Sequence, residues 1–206
     1  MIVIVDYGMG NLRSVEKALA SLGAAARISN DPVVIGQADK LILPGVGAFG
    51  DGMKNIRTYG IEDAIVRFAA SGKPLLGICL GMQMLFEDGE ENPGVRGLGI
   101  IKGSVRKFDP AALGPGGLKI PHMGWNQVIW SKKSFLFDGI GDRSNFYFVH
   151  SYYPEPGEDV TAGVTGYGID FASVIQKGNI AATQFHPEKS QKNGLRLLLN
   201  FIHYRG

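Results

Sequence analysis

Apolar and polar positions follow two rhythms along this chain. In the first half, short apolar runs alternate with stretches of helical spacing. MIVIVDYG opens on an unbroken apolar run and ends in a turn, the pattern of a strand buried on both faces. NLRSVEKALASLG follows with Leu12, Val15, Leu19 and Leu22 at helical spacing and closes at Gly23. AAARIS reads as a second strand, and DKLILPGVG as a third that ends at Pro44 and Gly45. Residues 51–71 carry helical patterning with a break near Gly60. KPLLGIC is a fourth strand, and LGMQMLFE the helix after it. Strand and helix in strict alternation predict a parallel sheet with right-handed crossovers.

The second half changes rhythm. GLGIIKGSVRKF, GWNQVIW, SNFYFVHSYY, DVTAGVTGY, FASVIQKG and NIAATQFH are strand-like segments with little helix between them, which predicts antiparallel additions to the sheet. GLRLLLNFIHYR is an amphipathic closing helix, and DPAALGPGGLK (109–119) is the most loop-like stretch. The expected fold class is α/β: a three-layer, open mixed sheet, parallel in its N-terminal half and with antiparallel additions in its C-terminal half. The expected organisation is a single domain over residues 1–206.

Composition narrows the function classes. The 206 residues are 45% hydrophobic and 19% charged, enough for one sizeable core. A net charge of +2 gives no reason to expect nucleic acid or a membrane surface. The first apolar run is interrupted by Asp6 and has no basic leader, so it reads as a strand rather than a signal peptide. No run approaches the roughly 18 apolar residues of a membrane span. One cysteine cannot form an intramolecular disulfide, which fits a reducing, cytoplasmic setting.

That cysteine, Cys79, sits where the fourth strand becomes a helix, within GICLGMQ. In open α/β sheets, ligands gather at the carboxyl ends of the parallel strands. Gly77-x-Cys79-x-Gly81 has the shape of a nucleophile elbow, in which a sharp strand-to-helix turn projects the nucleophile. A helix N-terminus behind the sulfur favours the reactive thiolate. By itself the motif fits an inert buried thiol equally well.

A thiolate nucleophile needs a base, and the chain has four histidines: His122, His150, His186 and His203. His186, in TQFHPEKS, ends a strand at Pro187 and has Glu188 two positions on, on the same face of an extended chain. Glu188 could then hold one imidazole nitrogen while the other faces Cys79. Taken alone, His-Pro-Glu is an ordinary turn; beside an elbow cysteine it becomes a candidate triad. Acyl transfer also needs an oxyanion hole. Gly45 and Gly47 in LPGVGAFG would let a peptide reorient an N–H towards the developing charge, and the amide of Leu80 is the natural second donor. The histidines are too scattered for a metal site. GMGNLR is an imperfect dinucleotide fingerprint, so no cofactor is expected.

PGVG, then GICLGMQ, then FHPE, in that order and spread over nearly the whole chain, resembles the class I (triad) glutamine amidotransferases. The resemblance implies a flavodoxin-like fold and glutamine as substrate. It implies Cys79 as nucleophile, His186 as general base and acid, and Glu188 as the group orienting His186. It implies Gly47 and Leu80 as oxyanion donors, Val46 in the peptide that reorients, and Gln83 as a substrate contact. DYGMGNLRSV, LPGVGAFGDGM, IPHMGWNQV and FYFVHSYY are similar to one branch of that family, the glutaminase subunits of histidine biosynthesis. These supply ammonia to a (βα)8-barrel cyclase subunit, which makes imidazole glycerol phosphate and AICAR. All 206 residues go into one glutaminase-like domain, leaving none to use the ammonia, and this agrees with a partner. By the same resemblance, Trp125, Asn126, Tyr147, His150 and Lys189 are interface or gating candidates. Phe146, Phe148 and Val149 read as core. Competing readings are a subunit of another amidotransferase, a non-catalytic scaffold of the same fold, and a cysteine hydrolase whose histidine follows closely behind the elbow.

Overall fold

The alternating first half folds as its rhythm predicts. A computed structural model describes residues 1–113 and 118–205. The chain runs β1 (Ile2–Val5), α1 (Leu12–Ser21), β2 (Ala26–Ser29), α2 (Pro32–Gln37), β3 (Lys40–Gly45), α3 (Phe49–Thr58), α4 (Glu62–Ala70), β4 (Leu75–Cys79) and α5 (Leu80–Met84). It continues through β5 (Asp88–Gly89), β6 (Gly103–Lys107), β7 (His122–Trp130), β8 (Ser144–His150), β9 (Tyr152–Pro156), β10 (Thr161–Tyr167), β11 (Ile169–Lys177), β12 (Ile180–Thr183) and α6 (Gln191–His203).

Among the described residues the main sheet has nine strands in the order β2-β1-β3-β4-β12-β11-β10-β7-β8. Period-two alternation sends Ile2 and Ile4 to one face, against Val15 and Leu19 of α1 and Leu197 and Phe201 of α6. Val3 and Val5 go to the other face, against Val34 and Ile35 of α2, Met53 and Ile56 of α3 and Ile65 of α4. Helices on both faces make three layers, and the apolar strands between them are fully covered. No helix of the described residues is long and apolar enough to cross a membrane.

Four features differ from the sequence expectation. NIAAT, expected among the antiparallel additions, forms β12, which pairs parallel with β4 and antiparallel with β11. It is the seam between the two halves, and it lays the segment leading to His186 beside the strand leading to Cys79. Second, β6 and β9 leave the main sheet and form a smaller one with β5. Third, the helix after Cys79 stops at Met84, because the carbonyls of Met84 and Phe86 accept from Leu98 and Gly99 and the chain turns away. Fourth, residues 32–37 form the helix α2, whose signals are present in the sequence: Asp31 accepts from the Val33 amide as N-cap, and Pro32 follows it. Within 109–119, Pro110–Leu113 forms a 3-10 turn, and residues 114–117 lie outside the described residues.

Candidate active site

The elbow combines a rare backbone conformation with one close approach of helix to strand. Cys79 has φ 53° and ψ −108°, a conformation that L-residues rarely adopt. Gly81 lets α5 press on β3, since a Cβ there would fall on the carbonyl oxygen of Leu43. The turn holds the Cys79 side chain at the carboxyl edge of the sheet, with the residue 6% exposed.

His186 follows β12, and its Nδ1 meets Glu188 Oε1 at 2.8 Å, with both side chains almost wholly buried. The carboxylate therefore accepts from Nδ1–H and leaves Nε2 for the sulfur. Burial alone would lower the His186 pKa. The charge of Cys79 and a hydrogen-bonding contribution from it, together with Glu188, outweigh burial and hold the pKa up at about 10. No well-formed hydrogen bond closes between sulfur and imidazole, however, and Nε2 is buried without a partner among the described residues, as is Glu188 Oε2. The sulfur instead points at the Val149 carbonyl, 3.9 Å away.

A cavity of about 300 Å³ opens at the sulfur, lined by Val46, Gly47, Cys79, Leu80, Gln83 and Glu91, with Val149–Tyr152 opposite. Gly47 has φ 106°, so the peptide before it has a freedom that other residues lack. The Leu80 amide opens α5, where no intrahelical carbonyl awaits it. Tyr7, fully buried, donates to the Pro44 carbonyl at 2.7 Å and braces β3 where Gly45 ends it. Glu91 accepts from the Phe49 amide at the start of α3 and keeps its carboxylate at the cavity wall.

The interface and gating candidates divide into two groups. Trp125 is 49% exposed and meets Tyr147 edge-on, with ring centroids 6.1 Å apart, and Lys189 Nζ lies 6.0 Å from the Tyr147 ring. Beside them Met123 is 62% exposed, an apolar surface on the strand pair β7–β8. His150 and Asn126 are not part of that cluster. His150 is buried, with Nδ1 2.8 Å from the Tyr152 carbonyl and Nε2 2.9 Å from His122 Nδ1. Asn126 Nδ2 reaches His122 Nε2 and the Gly166 carbonyl. Each contact fixes the next, so both histidines carry their proton on Nδ1 and are neutral. Burial pushes His122 down to about 4 and His150 to about 3.

Three side chains at the site carried no sequence signal. Ser190, 1% exposed, donates to the His186 carbonyl at 2.6 Å and accepts from the Tyr147 amide at 2.9 Å. It ties the histidine to the strand that bears the surface aromatic. Tyr7 and Gln184 are likewise fully buried polar side chains. A polar residue in an apolar run marks such a role only once its burial is known. Among the described residues, no group of three or more His, Cys, Asp or Glu could hold a metal ion.

A family model described as glutamine amidotransferase class-I matches residues 3–204. The chain is 50% identical over 204 residues to the imidazole glycerol phosphate synthase subunit HisH of Syntrophotalea carbinolica, covering 98% of each. It is 51% identical over 201 residues to the protein of that name from Moorella thermoacetica, covering 97% of this chain and 93% of that one. Among solved structures, that of PurLQS from Thermotoga maritima superposes with a TM-score of 0.75 at 20% identity, covering 100% of this chain and 98% of that one, a likeness of fold.

Proposed function

The chain belongs to the class I glutamine amidotransferase family, and from that premise we propose that it is the glutaminase subunit of an imidazole glycerol phosphate synthase. The observation that carries this reading is its near-full-length identity to relatives of that name. The site supports the chemistry. Glutamine enters the cavity with its side-chain amide at Cys79. The Gln83 Oε1, which has no partner among the described residues, and the Glu91 carboxylate are acceptors suited to the substrate's α-ammonium. The thiolate attacks the amide carbon, and the oxyanion takes the amides of Leu80 and Gly47. His186, held protonated by Cys79 and Glu188, gives its proton to the leaving ammonia. Now neutral, it takes a proton from the water that attacks the glutamyl thioester; the C–S bond breaks, glutamate leaves, and the Cys79 thiolate beside protonated His186 is restored.

The ammonia goes to a partner. Free in neutral water it would protonate and lose its nucleophilicity, so release must face a docked synthase subunit. We assign that role to a (βα)8-barrel cyclase, docked over Met123, Trp125, Tyr147 and Lys189. An apolar patch with an aromatic anchor and a cationic rim suits such docking. The buried, unpartnered atoms of His186 and Glu188 fit a site whose final alignment waits for that docking.

Glutamine hydrolysis should be measured for the chain alone, then with the cyclase, then with the cyclase and its nucleotide substrate. Turnover rising steeply only in the full assembly is expected. Full activity of the isolated chain, or indifference to the cyclase, would refute the subunit assignment.

A further inference from the structure

Gln184 has no exposed surface and lies between β12 and His186. A buried amide must satisfy a carbonyl and two N–H groups. Its Oε1 accepts from Gln83 Nε2 at 3.0 Å, and its own Nε2 lies 3.7 Å from Cys79 Sγ, within reach of an N–H···S hydrogen bond. This orientation follows from the surroundings. Gln83 Nε2 gives its other hydrogen to the Tyr152 carbonyl at 3.0 Å, and the same carbonyl accepts from His150 Nδ1. Gln83 must therefore show an N–H to Gln184, and Gln184 must answer with its oxygen and turn its N–H to the sulfur. A flipped Gln184 would set two NH2 groups against each other and a carbonyl oxygen against the thiolate.

We propose that Gln184 is a further catalytic residue of the glutaminase reaction, its amide N–H donating to the Cys79 sulfur so as to stabilise the thiolate and aim it at the substrate. The proposal rests on the reading of Cys79 as nucleophile. The Val149 carbonyl suits the thiol, which has a proton to give, but faces the thiolate with a repelling dipole. The helix behind the sulfur has five residues, too few for a full macrodipole. His186 Nε2 closes no hydrogen bond to it. Among the described residues, Gln184 is the side chain that offers the sulfur a positioned donor.

Cys79 is the chain's one cysteine, so alkylation by iodoacetamide, a small carboxamide, reports this site directly. The probe is the alkylation rate against pH for the full chain and for Gln184→Met, which keeps the volume, removes the donor together with the acceptor of Gln83, and leaves Gln83 Nε2 held by the Tyr152 carbonyl. His186 and Tyr7, the titratable side chains that sense the Cys79 charge, are untouched by that change. Loss of a hydrogen bond to a charged group should lower the thiolate fraction at neutral pH roughly tenfold to hundredfold and move the profile to higher pH. In the assembly with cyclase, kcat should fall with KM little changed. An unaltered alkylation profile in folded Gln184→Met overturns the proposal. Should that variant not fold, the side-chain amide protons of Gln184 in the unmutated protein, followed by NMR, must titrate with the alkylation midpoint; their indifference to it overturns the proposal equally. Cys79→Ala separates the two readings. If it keeps glutaminase activity, the nucleophile reading fails. If it is inactive while Gln184→Met alkylates normally, only the role of Gln184 fails.

Discussion

Cys79 is held at φ 53° and ψ −108°, and the conformation has a measurable cost. For an L-residue in so sparsely populated a region that cost is about 1–3 kcal/mol. Glycine escapes it, but loses more backbone freedom on folding, by about 0.5–1 kcal/mol relative to alanine. Comparing Cys79→Gly with Cys79→Ala removes the sulfur from both sides and leaves the difference of these two terms. The glycine variant should be the more stable, by ~1 kcal/mol. In a chain of this size that corresponds to a Tm higher by roughly 2–4 °C. Urea denaturation gives the free energies and calorimetry the midpoints. Neither variant should hydrolyse glutamine, and in the assembly both should leave synthesis from added ammonia intact. The ordinary order, alanine more stable by about 0.5–1 kcal/mol, would mean that the elbow stores no strain and that its geometry has another origin.

Three other outcomes follow from the packing. Gly81→Ala would drive a Cβ onto the Leu43 carbonyl, backbone that cannot swing aside; a loss of about 3 kcal/mol or more, or no folded protein, is expected in urea titration, and a neutral effect would contradict the close approach of α5 to β3. Ser190→Ala leaves the Tyr147 amide and the His186 carbonyl without their side-chain partner at a cost of about 1–3 kcal/mol, and should lower kcat more than KM in steady-state assays of the assembly; an unchanged kcat would remove Ser190 from the positioning of the histidine. His122 and His150 have pKa values depressed by burial, so the unfolded chain binds protons that the folded chain refuses; their contribution is complete above pH ~6.5 and is lost on acidification towards about 4 and 3, with a slope of up to ~1.4 kcal/mol per pH unit each. Stability measured between pH 7 and 4 should fall accordingly, and less steeply in His122→Phe. A flat profile would mean that the pair already carries a proton. His186, whose pKa is raised, acts in the opposite sense and only as pH rises above ~6.5 towards 10.

Local pattern was enough for the parallel half of the fold and for the candidate triad. Short apolar runs rich in Val and Ile and bounded by turns are the pattern of strands covered on both faces, and glycines flanking a lone cysteine at a strand end leave room for a sharp turn. His186 and Glu188 share a strand-end turn, so their pairing too is written in adjacent residues. What local pattern could not reach was pairing across distance. Whether NIAAT lies parallel or antiparallel to its neighbour depends on which strand it finds, and β4 is a hundred residues away; that choice brings His186 to Cys79. His150 and Trp125 both sit in aromatic-rich strands, yet one is buried against His122 and the other half exposed, because alternation defines two faces without saying which one the rest of the protein will cover. Gln184 and Ser190 look like polar interruptions in sequence. Their partners are a sulfur 105 positions away and an amide 43 positions away, and hydrogen bonds formed across such separations exist only once the tertiary fold has closed.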